Sequence, residues 1–255
     1  METRQLPLGP VPDLQSGEVH VWYARPAELA LPALVDSRNG GGNGSDNCDG
    51  NSSGRLRHAR MQQRFLLRLL LGRYIGCPGR DLRLVRNASG KLGLDMPNGN
   101  RLRQLAFNLS HAGGWMAIAV GRGLELGIDL EPGARSLRWR ALAQRWFPPA
   151  EADAVEAADS PAREFLRRWT AREAMIKAIG EGLAVSLSAL ELDPFEPDRP
   201  TRVPAHWPEP RQWSLRRPEA PDGVEVCLAC TGVLQQLRSF RLLMPSMLSR
   251  PESGS

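Results

Sequence analysis

The stretch that most constrains this chain runs from Ser160 to Leu183, SPAREFLRRWTAREAMIKAIGEGL. Ser160 and Pro161 read as a helix start, because Ser offers an N-cap oxygen and Pro suits the first helical position. Gly180 and Gly182 read as stops. Between them Phe165, Leu166, Trp169, Ile176 and Ile179 recur at helical spacing, which predicts a helix with one apolar stripe. Glu173 and Lys177 are four apart, so they leave the same face one turn from each other, with Trp169 one turn before. The pair is either a catalytic acid and amine or an ordinary surface ion pair.

A second stretch bears on that choice. Gly127-Ile128-Asp129-Leu130-Glu131-Pro132 reads as a short buried strand closed by proline. Asp129 and Glu131 are two apart and face one side, while Ile128 and Leu130 face the other. Two carboxylates on one side of an apolar strand repel each other and call for a cation. A hard divalent ion such as Mg²⁺ suits them, with substrate phosphate oxygens as further ligands. Glu173 becomes a third carboxylate if the helix packs against this strand end.

The 255 residues suffice for one large domain or two small ones. Net charge is 33 − 28 = +5, which favours anionic partners. Lysine occurs only at Lys91 and Lys177; the other cations are arginines. Cys227 and Cys230 form one CxxC inside an apolar run, and without a second Cys or His pair it reads as structural. There is no apolar leader at the start and no membrane-length apolar run, so the expectation is a soluble, cytoplasmic protein.

In chain order, Met1–Gly17 reads as a loose lead-in, Val19–Ala24 as a strand and Leu29–Val35 as a short helix. The low-complexity segment 39–54 reads as a disordered insertion. Arg57–Gly76 is predicted helical. Phe65, Leu66, Leu69, Leu70 and Tyr74 line one side, and Arg57, Arg60, Arg64, Arg68 and Arg73 recur along the rest. Most of that arginine stripe reads as a solvated face, with one or two residues suited to phosphate. Leu105–His111 is predicted as a strand ending in Ser110-His111, where the histidine is either structural or a phosphate contact. Two helices over 139–157 precede the Ser160 helix, and a strand over 187–192 follows it. The proline-interrupted segment 193–222 reads as mostly loop, with a strand over 212–216, and Val224–Val233 as the last clear strand. The expected fold class is α+β, in two similar α/β halves meeting near 124–127. The division places 1–124 in an N-terminal half, 125–245 in a C-terminal half carrying the metal site and catalytic helix, and 246–255 in a flexible tail.

Three of these stretches occur together in an informative order: Phe107-Asn-Leu-Ser-His111, Gly127-Ile-Asp-Leu-Glu131, and Trp169-Thr-Ala-Arg-Glu-Ala-Met-Ile-Lys177 followed by Gly180. In that order and spacing the chain resembles the 4′-phosphopantetheinyl transferase superfamily, Sfp-type. The resemblance implies a monomer with pseudo-twofold symmetry whose active site lies between the halves. It implies transfer of 4′-phosphopantetheine from coenzyme A to a serine of apo acyl carrier proteins or peptidyl carrier domains, with 3′,5′-ADP released. Asp129, Glu131 and Glu173 would then hold Mg²⁺, and Glu173 would also take the serine proton. Lys177 would neutralise phosphate charge. Lys91, Ser110, His111 and one of Arg60 and Arg64 would contact coenzyme A. Two departures stand out: Arg172 replaces the family's lysine before the glutamate, and Leu92 replaces the proline after Gly90-Lys91. Neither a nucleic-acid nor a membrane partner is expected.

Overall fold

The computed structural model describes residues 1–6, 8–29, 52–87, 90–95, 105–133, 138–181 and 187–243. Residues 30–35 of the predicted 29–35 helix, most of the 39–54 segment, Gly182 and the 246–255 tail lie outside these residues.

Alternation in Glu18–Ala24 (β2) sends Val19, Val21 and Tyr23 to one face and Trp22 and Ala24 to the other. Both faces are buried, and the two polar residues of the strand, Glu18 and His20, are buried with the rest and bond to each other at 2.9 Å. It sits in a five-stranded sheet with Glu2–Gln5 (β1), Leu105–Ala112 (β5), Trp115–Arg122 (β6) and Gln236–Leu243 (β12). The order is β1-β12-β2-β6-β5, with β12 parallel to both β1 and β2. One face is covered by the helix Ser52–Ile75 (α1), through Leu66, Leu67, Leu70 and Leu71. A short hairpin, Arg83–Arg86 (β3) with Leu92–Asp95 (β4), follows that helix.

The other face packs on a three-stranded antiparallel sheet of Glu125–Pro132 (β7), Val224–Thr231 (β11) and Trp213–Arg216 (β10), ordered β10-β11-β7. Leu126, Ile128 and Leu130 meet Val19, Val21 and Tyr23 there. The far side of the smaller sheet is covered by Pro161–Ile179 (α4), preceded by Trp139–Trp146 (α2) and Pro149–Ala157 (α3). The layers therefore run helix, sheet, sheet, helix, an α+β arrangement. Two small strands, Glu191–Leu192 (β8) and Pro200–Arg202 (β9), form a separate pair. No helix among the described residues is long and apolar enough to cross a membrane.

Several local expectations need correction. Met1–Gly17 is not a loose lead-in: β1 pairs with β12, and Leu6, Leu8 and Leu14 are buried. The predicted strand over 187–192 is a 3-10 turn at Leu187–Ala189 and then only β8. Ser52–Gly54, assigned to the insertion, lie in α1. Ser160 holds the N-cap position of α4 without a side-chain bond, whereas Gly180 closes the helix in the left-handed region at φ 86°. By sequence β12 belongs with the C-terminal half, yet it stands between β1 and β2. Cys227 and Cys230 point to opposite faces of β11, as residues three apart on a strand must, so the CxxC cannot act as one site.

Candidate active site

The site forms where the open edges of the two sheets meet, at β5 and β7. Ile128 N–H donates to Asn108 Oδ1 at 3.1 Å, so a side-chain amide bridges the two strands. Over this seam lies α4. A Cβ on Gly127 would stand 2.1 Å from Ala174 O and 2.3 Å from Ala178 N, so only glycine lets the helix come so near. That close approach, one turn of the helix along, sets Glu173 and Lys177 beside Asp129.

Asp129 is buried, 5 % exposed, and only its Oδ1 is engaged. Lys177 Nζ donates to Oδ1 at 2.6 Å, and Ser110 Oγ donates to the same oxygen at 2.8 Å. Lys177 Nζ also lies 3.0 Å from Ser110 Oγ, closing a triangle. Asp129 Oδ2 is buried with no hydrogen-bond partner among the described residues. Glu173, 8 % exposed, is pushed up from 4.5 to about 7. Burial is the largest cause, followed by the Asp129 charge; Lys177 opposes them and Glu131 adds to them. The alternative of a surface Glu173–Lys177 pair is overturned: the salt bridge of Lys177 is to Asp129, on another element.

Around this centre His111 reaches solvent, and its pKa is lowered by partial desolvation and then by the charges of Lys177 and Arg60. Three potential cations from β5, α4 and α1 thus converge. Arg64, the other candidate on α1, lies one turn further along and lines a separate groove with Met61, Phe65 and Arg80. Lys91 occupies a position that sequence reasoning missed. Its Nζ donates to Ala178 O at 2.5 Å, and its stem packs on Gly180, so it finishes the C-terminus of α4. It also lines a cavity of about 200 Å³ with Arg86, Phe107, Asn108 and Lys177. An adjoining cavity of about 720 Å³ shares Arg86, Lys91 and Phe107.

Asn108 and Gly127 were quoted within the motifs without a role; the structure assigns them the seam and the helix approach. Arg172, which precedes Glu173, turns away from the site. It is fully buried and pairs with Glu151 at 2.5 Å, while its guanidinium lies 4.1 Å from the Phe147 ring centre.

Comparison with known proteins agrees with the arrangement. The family profile of the 4′-phosphopantetheinyl transferase superfamily matches residues 125–229, the stretch that holds β7, α4 and β11. A 4′-phosphopantetheinyl transferase of Nostoc sp., HetI, is 32 % identical over 175 residues, covering 66 % of this chain and 69 % of that protein. The chain belongs to the 4′-phosphopantetheinyl transferase superfamily. The human L-aminoadipate-semialdehyde dehydrogenase-phosphopantetheinyl transferase is 30 % identical over 172 residues, 62 % of this chain and 56 % of that protein. A 4′-phosphopantetheinyl transferase of Bacillus subtilis is 32 % identical over 96 residues, 36 % of this chain and 40 % of that protein. The chain thus spans little more than half of the human relative and less than half of the Bacillus one.

A metal fits the transferase's donor set. Among the described residues no three His, Cys, Asp or Glu side chains already stand together as a metal cage, and the Lys177 ammonium holds Asp129 Oδ1. The orphaned Oδ2 of Asp129 and the raised pKa of Glu173 nevertheless mark a carboxylate group short of positive charge.

Proposed function

We propose that this transferase moves 4′-phosphopantetheine from coenzyme A to a serine of an apo carrier protein, at the seam between β5, β7 and α4. The observation that carries this reading is the Asp129 carboxylate, with one oxygen held by Ser110 and Lys177 and the other buried and unpartnered. Asp129, Glu131 and Glu173 would hold Mg²⁺. A metal held there would supply charge neutralisation on the pyrophosphate oxygens, where the serine oxygen bonds to the β-phosphorus and the phosphoanhydride bond to 3′,5′-ADP breaks.

The residues of the chain supply the rest. Lys177 and His111 offer N–H donors on the side where phosphate charge arrives, with Arg60 beside them. Ser110 and Asp129 fix the Lys177 ammonium, so its direction is set before substrate enters. The cavities lined by Arg86, Lys91 and Phe107 offer the cofactor a partly apolar channel leading to Lys177. Glu173 takes the serine proton, directly or through water, and in-line alignment contributes more than any covalent intermediate. The pseudo-twofold relation of the halves, the monomeric state and a cytoplasmic location belong to the same proposal.

Intact mass spectrometry of an apo acyl carrier protein, incubated with this protein, coenzyme A and Mg²⁺ and in parallel with EDTA, tests the reading. The expected result is a metal-dependent gain of one phosphopantetheine group on the carrier serine. Tight coenzyme A binding without transfer to several different carriers would reduce the protein to a binding module and overturn the reading.

A further inference from the structure

Strand β11 begins Val224-Glu225-Val226-Cys227, and a period of two sends Glu225 and Cys227 to one face and Val226 to the other. The antiparallel register with β7 sets Cys227 opposite Asp129 and Glu225 opposite Glu131. Directly opposed residues share a face, with Cβ atoms about 5 Å apart. Glu225 therefore stands on the side covered by α4, beside a carboxylate of the proposed metal site, and like charges so opposed repel. Cys227 offers a hard ion nothing: it is a buried thiol, a soft ligand.

The charge of Glu225 is answered from the first turn of α4. Arg163 Nε donates to Glu225 Oε1 at 2.6 Å. The two ends of this pair differ, since the Glu225 side chain is 16 % exposed and that of Arg163 74 %. Arg217 also bears on Glu225 through its charge. Its donors, however, go to Asp198 Oδ1, Thr170 Oγ1 and the carbonyls of Arg167 and Val226. An ion pair with one end so exposed contributes little to stability. What it changes is the charge that faces Glu131.

We propose that Arg163 sets the metal preference of the site: by holding Glu225 it keeps a fourth carboxylate away from the ion and leaves Asp129, Glu131 and Glu173 as the carboxylate set. The inference rests on the transferase reading and concerns the ion of that same site. Asp129 Oδ2, on a residue 5 % exposed, is buried and unpartnered among the described residues, which marks where positive charge is wanted. Glu131 links that point to Glu225, because it bears on Glu173 on one side and faces Glu225 on the other. Mg²⁺ demands near-octahedral geometry, keeps several waters and takes few carboxylates, whereas Ca²⁺ accepts about 6–8 oxygens in a looser shell. A fourth carboxylate released beside Glu131 would therefore favour the larger ion. Arg163 is thus a positioning residue, acting through Glu225.

The test reads ion binding rather than turnover. Free Mn²⁺ is followed by electron paramagnetic resonance with the full chain and coenzyme A, against a protein-free control, while Mg²⁺ or Ca²⁺ is titrated in as competitor. The proteins are the wild type, Arg163→Ala, Arg163→Lys, Glu225→Gln and the double variant Arg163→Ala/Glu225→Gln. Arg163 is exposed, so its variants are expected to melt close to the wild type. Arg163→Ala is expected to shift the ratio of Mg²⁺ to Ca²⁺ affinity about tenfold towards Ca²⁺. Arg163→Lys, which keeps the charge, and the double variant, which lacks the released carboxylate, are expected to keep the wild-type ratio, as is Glu225→Gln alone. An unchanged ratio in Arg163→Ala would overturn the inference and leave the transferase reading intact, and so would an equal shift in the double variant. A wild type that binds none of the three ions would overturn the metal site and this inference with it, and the carrier assay then decides separately whether transfer stands.

Discussion

Helix α4 carries two buried ionic clusters, and they balance charge in opposite ways. On one face Arg168 and Arg172 meet Glu151 and Glu164, two positive charges against two negative. Arg168 spends its remaining donors on Asp193 O at 3.0 Å and Pro194 O at 2.6 Å, and Leu192 N–H donates to Glu151 Oε1 at 2.8 Å. The other face sets the Lys177 ammonium against Asp129, with the Glu173 carboxyl buried beside them. Burial accompanies both, so burial does not separate a structural cluster from a reactive one. The first is neutral and cross-linked by backbone carbonyls, which fixes α3 and the 192–194 turn to α4. The second leaves Asp129 Oδ2 buried with no hydrogen-bond partner among the described residues and holds the Glu173 pKa up, an environment that the proposed divalent ion would relieve.

The contrast breaks most visibly at Asp129. Asp129→Ala is expected to lower kcat by on the order of a thousandfold or more, ~4 kcal/mol, while the protein stays folded; a loss below tenfold in steady-state assays would remove it from the metal site. Glu151→Gln does the reverse. It leaves Arg168 and Arg172 without their shared buried carboxylate, and denaturant unfolding should report a loss of ~3–4 kcal/mol. Equal stability of variant and wild type would mean that the backbone carbonyls alone satisfy the arginines.

Gly127→Ala sharpens the comparison, since the approach it tests serves the reactive cluster. The added Cβ must push α4 off β7, for which thermal and chemical unfolding should show about 2–3 kcal/mol. The salt bridge between Lys177 and Asp129, now 2.6 Å, would open with it.

The smallest effect concerns pH. Glu173 has a folded pKa raised from 4.5 to about 7, so the folded metal-free protein holds a proton that the unfolded chain has released. Stability of the metal-free protein should therefore fall as pH rises from about 4.5 to about 7, by up to ~3 kcal/mol and in practice less. Glu173→Gln should flatten that slope in unfolding curves taken with EDTA at several pH values. An unchanged slope would place the deficit elsewhere.

Sequence made α4 legible because its apolar period, Pro161 and Gly180 are all local signals. The residues of the proposed site stand out for a similar reason: Asp129 and Glu131 mark an otherwise apolar strand, and Glu173 and Lys177 share a helix face. What stayed hidden depends on distant partners. β1 is only four residues long and gains its bonds from β12, more than 230 residues away. Arg172 reads in sequence only as a substitute for the family's lysine, and its buried pairing with Glu151, 21 residues away, has no local signal. Lys91 matched a cofactor position, yet its ammonium also closes α4 through Ala178 O, a contact 87 residues long in sequence.

The position of β12 also governs the order in which this molecule can be made. The strand is inserted between β1 and β2, which leave the ribosome long before it. Roughly 200 residues separate Ala24 from Gln236, and at about 5–20 residues per second the wait is on the order of 10–40 s. Through that interval β2 has no neighbour on its β12 side and presents an open edge of apolar backbone. The nascent chain therefore cannot finish its larger sheet strand by strand, and β1 waits for β12 before it is fixed.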